Sequence, residues 1–234
     1  MPFKNIPKIL ALIPDGNRRW AKQNKISFLV GYKQGVKKFI DFSEWCNGYG
    51  INNISVWAFS TENINRPKEE VNALFGIYKK TATDRKIIDR LHENETSFKL
   101  IGNLTMLPKD LRMALGKVAE ETSVYKKKTI NMLIGYGGKE DIMHAARRAA
   151  ADAVKTGKVA LNESIFKKYL ISNSIPDIDF VIRTSGEERL SGFMPWQAAY
   201  SELYFSKKLW PDFTRNDLDA ALSEYDRRAR RFGL

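Results

Sequence analysis

Short apolar runs alternate along the chain with longer stretches of helical periodicity. The first run, Ile9–Ile13, is followed at once by Pro14, Asp15 and Gly16, which is typical of a buried strand ending in a tight turn. Further strands are predicted at Ile54–Phe59, Phe98–Ile101, Ile130–Ile134, Ile178–Ile182 and, more weakly, Leu203–Phe205. Helices are predicted over Gln34–Asn47, Glu69–Leu91, Lys109–Tyr125, Lys139–Thr156, Glu163–Ser172 and Arg215–Arg231. This alternation predicts an α/β fold with an open, mostly parallel central sheet of about six strands flanked by helices.

Polar segments follow five of the predicted strands. In a parallel sheet the carboxyl ends of the strands share one edge, and ligands bind at that edge. The segments are Asp15–Arg19, Ser60–Asn63, Gly102–Asn103, Gly135–Gly138 and Arg183–Glu187. We therefore expect all five to converge on one active site at the carboxyl edge.

Composition narrows the class of protein. The 234 residues contain no linker, repeat or low-complexity block, so we expect one domain over residues 1–234. A formal net charge of +12 attracts anionic small molecules, nucleic acids or an anionic membrane surface. Because no nucleic-acid recognition motif occurs, we expect no nucleic-acid partner. A single cysteine and the lack of a membrane-spanning apolar run favour the cytoplasm.

The segment after the first strand carries the clearest chemistry. Asp15 can hold a divalent cation through oxygen, while Arg18 and Arg19 can hold phosphate oxygens. Together they indicate a site for a metal-bound phosphate or diphosphate. For this segment alone, a solvated turn with ordinary surface charges is an equal alternative.

A second donor array follows the fifth predicted strand. Arg183, Arg189 and Ser191 lie within nine residues and suit several phosphate oxygens. The next acid, Glu202, is a candidate to share a Mg²⁺ ion with Asp15, since magnesium takes one or two carboxylates and leaves its other positions to water and phosphate.

Five ordered blocks of sequence resemble the signature blocks of the cis-prenyltransferases, the family of undecaprenyl and dehydrodolichyl diphosphate synthases. The blocks are Ile13–Ala21, Phe59–Pro67, Tyr136–Gly138, Ile182–Ser191 and Trp196–Phe205. The match continues to Arg230–Gly233, and Pro14 before Asp15 resembles archaeal members.

The resemblance implies a Mg²⁺-dependent condensation of isopentenyl diphosphate with an allylic prenyl diphosphate to give a polycis-prenyl diphosphate. It assigns catalysis to Asp15 and Asn63, and the metal to Asp15 and Glu202. Substrate-binding positions are Gly16, Asn17, Arg18, Arg19, Trp20, Ser60, Thr61, Glu62, Arg66, Arg183, Arg189, Ser191, Arg231 and Gly233. It places the product tail in an apolar tunnel between helices and sheet, lined in part by Val71–Tyr78.

The resemblance also concerns partners. Arg231–Gly233 resembles the terminal motif that dimers of the family bring towards the partner's active site, so a homodimer is expected. A cytoplasmic location follows, with association to an anionic membrane through the lipid product as a further expectation.

Three positions depart from the family pattern. Ile9, Phe28 and Tyr32 stand where a His, an Arg and a His are usual, and the last two belong to the allylic diphosphate region. The alternatives are therefore a non-elongating or irregular prenyl transfer, for example to a lipid alcohol, and a non-catalytic partner subunit.

Overall fold

The computed structural model describes residues 3–159 and 161–228. Its centre is one six-stranded sheet in the order β3-β4-β2-β1-β5-β6, and every neighbouring pair is parallel. The strands are β1 Ile9–Ile13, β2 Asn53–Ser60, β3 Thr96–Ile101, β4 Lys128–Tyr136, β5 Phe180–Arg183 and β6 Glu202–Phe205. The predicted fold class is confirmed, including the weakly indicated last strand.

Helices cover both faces of this sheet. Within the described residues they are α1 Asn17–Gln23, α2 Phe28–Gly48, α3 Lys68–Ala82, α4 Arg85–Glu93, α5 Lys109–Glu121, α6 Gly138–Thr156, α7 Glu163–Tyr169 and α8 Arg215–Arg227. On one side of the sheet, Phe42 and Trp210 pack edge to face with ring centroids 5.6 Å apart. On the other side, Trp57 stacks on Phe193 at 5.1 Å.

Helices α5 and α7 end four and three residues before their predicted ends, α1 was not predicted, and two further helices differ more. The stretch Glu69–Leu91 is two helices rather than one, because Asp84 adopts an extended conformation and its side chain accepts a hydrogen bond from the Lys86 N–H, which starts α4. Helix α2 begins at Phe28, six residues before the predicted start. Its first turns contain Gly31 and Gly35, which lower helix propensity and hide the helical pattern in the sequence.

Candidate active site

The carboxyl edge of the sheet opens into a cavity of about 1410 Å³ that runs between the sheet and helices α2 and α3. Predicted site residues that line it are Asp15, Gly16, Asn17, Arg18, Arg19, Ser60, Glu62, Asn63, Arg66, Arg183 and Ser191. The segment Gly102–Asn103 does not reach the cavity, because β3 lies at the far edge of the sheet and Asn103 caps Thr105 instead. The polar segments after four strands therefore meet at the cavity, as predicted. The prediction is wrong for Gly102–Asn103, which follows β3.

Asp15 lies between two guanidinium groups. Its carboxylate accepts a hydrogen bond from Arg183 Nη2 at 3.0 Å, and Arg19 Nη2 lies 3.7 Å away. Its backbone carbonyl accepts from Thr184 Oγ1 at 2.7 Å and from the Trp210 N–H at 3.0 Å. The main chain is thus held by two hydrogen bonds, while 34% of the Asp15 side chain remains exposed.

Arg183 is the most deeply buried cation of the site, with 6% of its side chain exposed. Its Nη1 donates to Ser191 Oγ at 2.9 Å and to the backbone carbonyl of Arg189. Its Nε, in contrast, has no hydrogen-bond partner within residues 3–159 and 161–228. An unpaired buried guanidinium N–H is costly, so it indicates a place for an anionic ligand.

Two glycines allow the loop after β1 to pack tightly. Gly16 has a φ of 107°, which an L side chain rarely adopts. A Cβ atom on Gly35 in α2 would lie 2.2 Å from Asn17 Oδ1. Asn17 Nδ2 donates to the Pro14 carbonyl at 3.0 Å, while its buried Oδ1 has no hydrogen-bond partner in the described part of the chain. The close approach of α2 therefore holds Asn17 in place beside Asp15.

Ser60 and Asn63 fix each other at the end of β2. The Ser60 hydroxyl accepts from the Asn63 N–H, and Asn63 Oδ1 accepts from the Ser60 N–H, both at 3.2 Å. This reciprocal pair is a capping box at the start of a short 3-10 helix over Thr61–Asn65. The side-chain nitrogen of Asn63, Nδ2, donates to no residue in the part of the chain that the structure describes, so it is available to a substrate.

The sequence analysis missed Glu70, which joins three groups at the cavity mouth. Its carboxylate accepts from the Tyr32 hydroxyl at 2.6 Å and from Arg66 Nη1 at 3.3 Å, and Arg18 Nε lies 3.7 Å away. Arg66 also donates to the Tyr32 hydroxyl at 2.7 Å. Burial and the hydrogen bond to Glu70 raise the pKa of Tyr32, so its hydroxyl stays a neutral donor. The four-residue spacing of Arg66 and Glu70 was the available signal in the sequence.

Tyr32 explains one of the three departures from the family pattern. Its hydroxyl is held between Glu70 and Arg66, and therefore orients an arginine of the site. Phe28 lies edge to face with Tyr32 at a centroid distance of 6.3 Å and also lines the cavity. Ile9, in contrast, is the first residue of β1 and lies at the amino edge, so the residue at that position does not contact this site.

Four predicted residues lie away from the cavity. The Trp20 indole donates to Asp212 at 2.7 Å, and Thr61 packs against Gly137. Arg189 is 62% exposed and pairs with Glu187 at 2.5 Å, beside the Glu187–Arg19 pair at 3.0 Å. Arg231 and Gly233 lie outside the described residues.

Glu202, the fourth of them, is at the opposite edge of the sheet from Asp15. It is the first residue of β6 and lies beside Phe180, the first residue of β5, at the amino edge. Its carboxylate pairs with Arg228 at 3.0 Å. The expectation that Glu202 and Asp15 of one chain share an ion is therefore wrong.

The residues at Asp15 fit a magnesium ion that arrives with a diphosphate. No cluster of three or more His, Cys, Asp or Glu side chains suited to a metal occurs within residues 3–159 and 161–228. Mg²⁺, however, needs only one or two carboxylates when phosphate oxygens and water fill its other positions. The partly exposed Asp15 carboxylate would supply one such ligand, and Arg183 and Arg19 beside it could hold the diphosphate whose oxygens would supply others.

The body of the cavity is apolar. Ile54, Val56 and Ala58 of β2 line it at successive depths, and helices α2 and α3 form the opposite wall through residues such as Phe39 and Leu74. The predicted helix segment Val71–Tyr78 thus contributes to the wall, as expected. At the far end, Asn47 Nδ2 donates to Asn94 Oδ1 at 3.2 Å between α2 and α4. A charged mouth with a long apolar body suits an amphiphile that has an anionic head.

The fold and this site define a prenyltransferase, and comparisons with known proteins agree. A family model described as putative undecaprenyl diphosphate synthase matches residues 13–233. The chain therefore belongs to the cis-prenyltransferase family, as its sequence blocks predicted.

Individual relatives are similar along nearly the whole chain. A tritrans,polycis-undecaprenyl-diphosphate synthase (geranylgeranyl-diphosphate specific) of Methanopyrus kandleri is 39% identical over 231 residues, 97% of this chain and 85% of the relative. An isoprenyl transferase of Clostridium tetani is 40% identical over 235 residues, and the match covers 100% of this chain and 91% of the relative. The crystal structure of lavandulyl diphosphate synthase from Lavandula x intermedia with dimethylallyl diphosphate has a TM-score of 0.90 at 34% identity, covering 97% of this chain and 98% of that one.

Proposed function

We propose that the protein condenses isopentenyl diphosphate with an allylic prenyl diphosphate, in a Mg²⁺-dependent reaction, to extend a polycis-prenyl diphosphate. The observation that carries this proposal is the cavity of about 1410 Å³, which joins a polar, arginine-lined mouth to an apolar body. Two anionic head groups need cations at the mouth, and a growing hydrocarbon needs apolar walls. Each buried CH₂ contributes about 0.8 kcal/mol, so a long chain binds increasingly well.

Different residues of the cavity mouth bind the two diphosphates. Arg183 and Ser191 hold the isopentenyl diphosphate, because Nε of Arg183 is a buried donor without a hydrogen-bond partner among the described residues. Asn17, Arg18 and Arg19 hold the allylic diphosphate at the start of α1. The two substrates then lie next to each other beside Asn63, and the side-chain nitrogen of Asn63, Nδ2, orients the reacting groups.

Departure of the diphosphate begins the reaction. The allylic carbon–oxygen bond breaks and its electron pair leaves with the diphosphate, while the double bond of the isopentenyl group supplies the electrons of the new carbon–carbon bond. Loss of a proton to the released diphosphate then leaves a new cis double bond. Asp15 is the residue that would hold Mg²⁺, which supplies charge neutralisation for the departing diphosphate. Arg19, 3.7 Å from Asp15, stabilises the same developing charge.

Purified protein incubated with labelled isopentenyl diphosphate and a series of allylic diphosphates tests this function. We expect Mg²⁺-dependent products several five-carbon units longer than the primer, with farnesyl and geranylgeranyl primers preferred to dimethylallyl, because they fill more of the apolar cavity. Chelation of the metal should stop the reaction. Failure to consume isopentenyl diphosphate with every primer, together with transfer to an alcohol, would instead support the irregular reaction.

A graded set of variants along β2 tests the tunnel. Ile54 and Val56 are two residues apart in β2, about 6.7 Å along a regular strand, and Ala58 follows at a β-bulge nearer the site; all three line the cavity. We expect Ala58→Phe to give the shortest products, Val56→Phe intermediate ones and Ile54→Phe the longest of the three, by chromatographic sizing. Ala58→Ser adds no comparable bulk and should leave product length unchanged. Equal product lengths in all variants would place the growing chain elsewhere.

We further propose a cytoplasmic homodimer that associates peripherally with anionic membranes. The resemblance of Arg231–Gly233 to the terminal motif of family dimers supports the homodimer. Cys46, the single cysteine, is fully buried in the core, which fits a reducing compartment. None of the helices in the described part of the chain is both long and apolar enough to span a bilayer.

A further inference from the structure

The connection between α1 and α2 exposes apolar side chains in a fixed conformation. Ile26, Phe28 and Val30 are 38%, 37% and 45% exposed. The turn is closed by hydrogen bonds from the Ile26 N–H to the Ala21 carbonyl at 3.0 Å and from the Lys25 N–H to the Lys22 carbonyl at 3.2 Å. Lys25 has the left-handed φ of 55° that ends a helix in this way. The apolar side chains are therefore presented by an ordered turn.

Cations surround these side chains. Lys22, Lys25 and Lys33 are exposed, and none of them forms an ion pair with a carboxylate in residues 3–159 or 161–228. Val30 and Lys33 are three residues apart in α2 and so share one face of the helix. We call Lys22, Lys25, Ile26, Phe28, Val30 and Lys33 the lysine–apolar rim.

The rim is continuous with the mouth of the cavity. Lys22, Ile26 and Phe28 line the cavity as well as the surface. On the same helix, Leu29 and Val36 pack inward against the core beside α3, whereas Val30 and Lys33 are exposed. The rim therefore borders the opening of the cavity.

We propose that the lysine–apolar rim docks the protein on an anionic lipid bilayer. Apolar side chains that enter the boundary between head groups and acyl chains, flanked by lysines, are the chemistry of interfacial binding. Each lysine near an anionic surface strengthens binding by about fivefold. A second copy is a poorer occupant, because a symmetric contact would bring two sets of unpaired lysines together.

This inference deepens the proposed function and rests on it for its purpose, which is to hold the cavity mouth against the membrane. Binding itself needs no turnover, so the two are tested separately. Full-length protein without substrates is floated with vesicles of phosphatidylcholine, or of phosphatidylcholine with phosphatidylglycerol. We expect flotation with the anionic vesicles, weakened by high salt.

The double variant Val30→Ser, Lys33→Glu should lower the partition coefficient at least tenfold, because it removes one apolar contact and reverses one charge. The matched control is Val154→Ser, Lys155→Glu in α6, where Val154 is 86% exposed, and it should bind like the parent protein. Prenyl transfer in detergent should be retained by both variants.

Three outcomes would overturn the docking surface. They are no flotation of the parent protein with anionic vesicles, equal losses in the rim and control variants, and a change of oligomeric state by light scattering in the rim variant alone. Since transfer in detergent is measured on the same samples, loss of docking with intact activity leaves the proposed function standing. Vesicle binding without prenyl transfer would contradict the proposed function instead.

Discussion

Asp15→Ala is expected to lower kcat by at least a hundredfold while the protein remains folded. The change removes the single carboxylate that faces the cavity between Arg183 and Arg19, and with it the group that would hold the metal at the departing diphosphate. Lost contacts between charged groups cost about 1.5–3 kcal/mol each, and here more than one is lost. Initial rates across a Mg²⁺ titration, with circular dichroism of the same sample, measure the two parts of this expectation.

Two further variants separate charge from shape. Asp15→Asn keeps a hydrogen-bond acceptor for Arg183 but removes the negative charge, so its activity should fall nearly as far while its thermal midpoint stays closer to that of the parent protein. Asp177→Ala removes an exposed carboxylate paired with Lys167 at 2.6 Å and should leave kcat unchanged. More than a few per cent of Mg²⁺-dependent activity in Asp15→Ala would contradict the role of Asp15.

Glu70→Gln is expected to raise KM for the allylic diphosphate by ten- to a hundredfold. Glu70 is 6% exposed and holds Arg66 and Arg18 at the cavity mouth, so its loss releases two cations that face the substrate. Hydrogen bonds to charged groups contribute about 1.5–3 kcal/mol, which gives a change of this size. Steady-state kinetics with the allylic substrate varied, at saturating isopentenyl diphosphate, measure it.

Tyr32→Phe is expected to have a smaller effect on the same KM than Glu70→Gln. It removes one hydrogen bond of Glu70 but leaves the direct Arg66 contact at 3.3 Å, so KM should rise only about fivefold. Because burial raises the pKa of Tyr32, its hydroxyl stays protonated across the working range, and the pH–rate profile should keep its shape. A lost or shifted limb would mean that Tyr32 exchanges a proton in the reaction. Glu140→Gln, which breaks an exposed pair with Arg147, is the control and should leave KM unchanged.

The sequence sufficed for the features that depend on local pattern. The short apolar runs predicted each strand, and the parallel arrangement predicted that Asp15 and Arg183 meet, although 168 residues separate them. The same rule should have excluded Glu202. A residue that precedes a parallel strand lies at the opposite edge from one that follows a strand, and Glu202 begins β6.

The remaining differences depend on tertiary contacts. Nothing near Glu70 in the sequence shows that Tyr32, 38 residues earlier, donates to it. The early start of α2 was hidden because its glycines serve the approach to Asn17 rather than the helix itself. Trp20 and Thr61 are adjacent to site residues in sequence, but their side chains point to Asp212 and Gly137.

The position of β1 in the sheet has a consequence for biosynthesis. This first strand lies between β2 and β5, and β5 is made about 170 residues after β1, since Leu10 pairs with Phe180. At about 5–20 residues per second, a ribosome needs roughly ten to thirty seconds to pass from β1 to β5. Until β5 has been made, one edge of β1 is unpaired, and Asp15 lacks its hydrogen bond from Arg183. The active site therefore cannot form in a nascent chain that ends before Arg183, and a truncated product would expose an apolar strand edge to the cell's folding machinery.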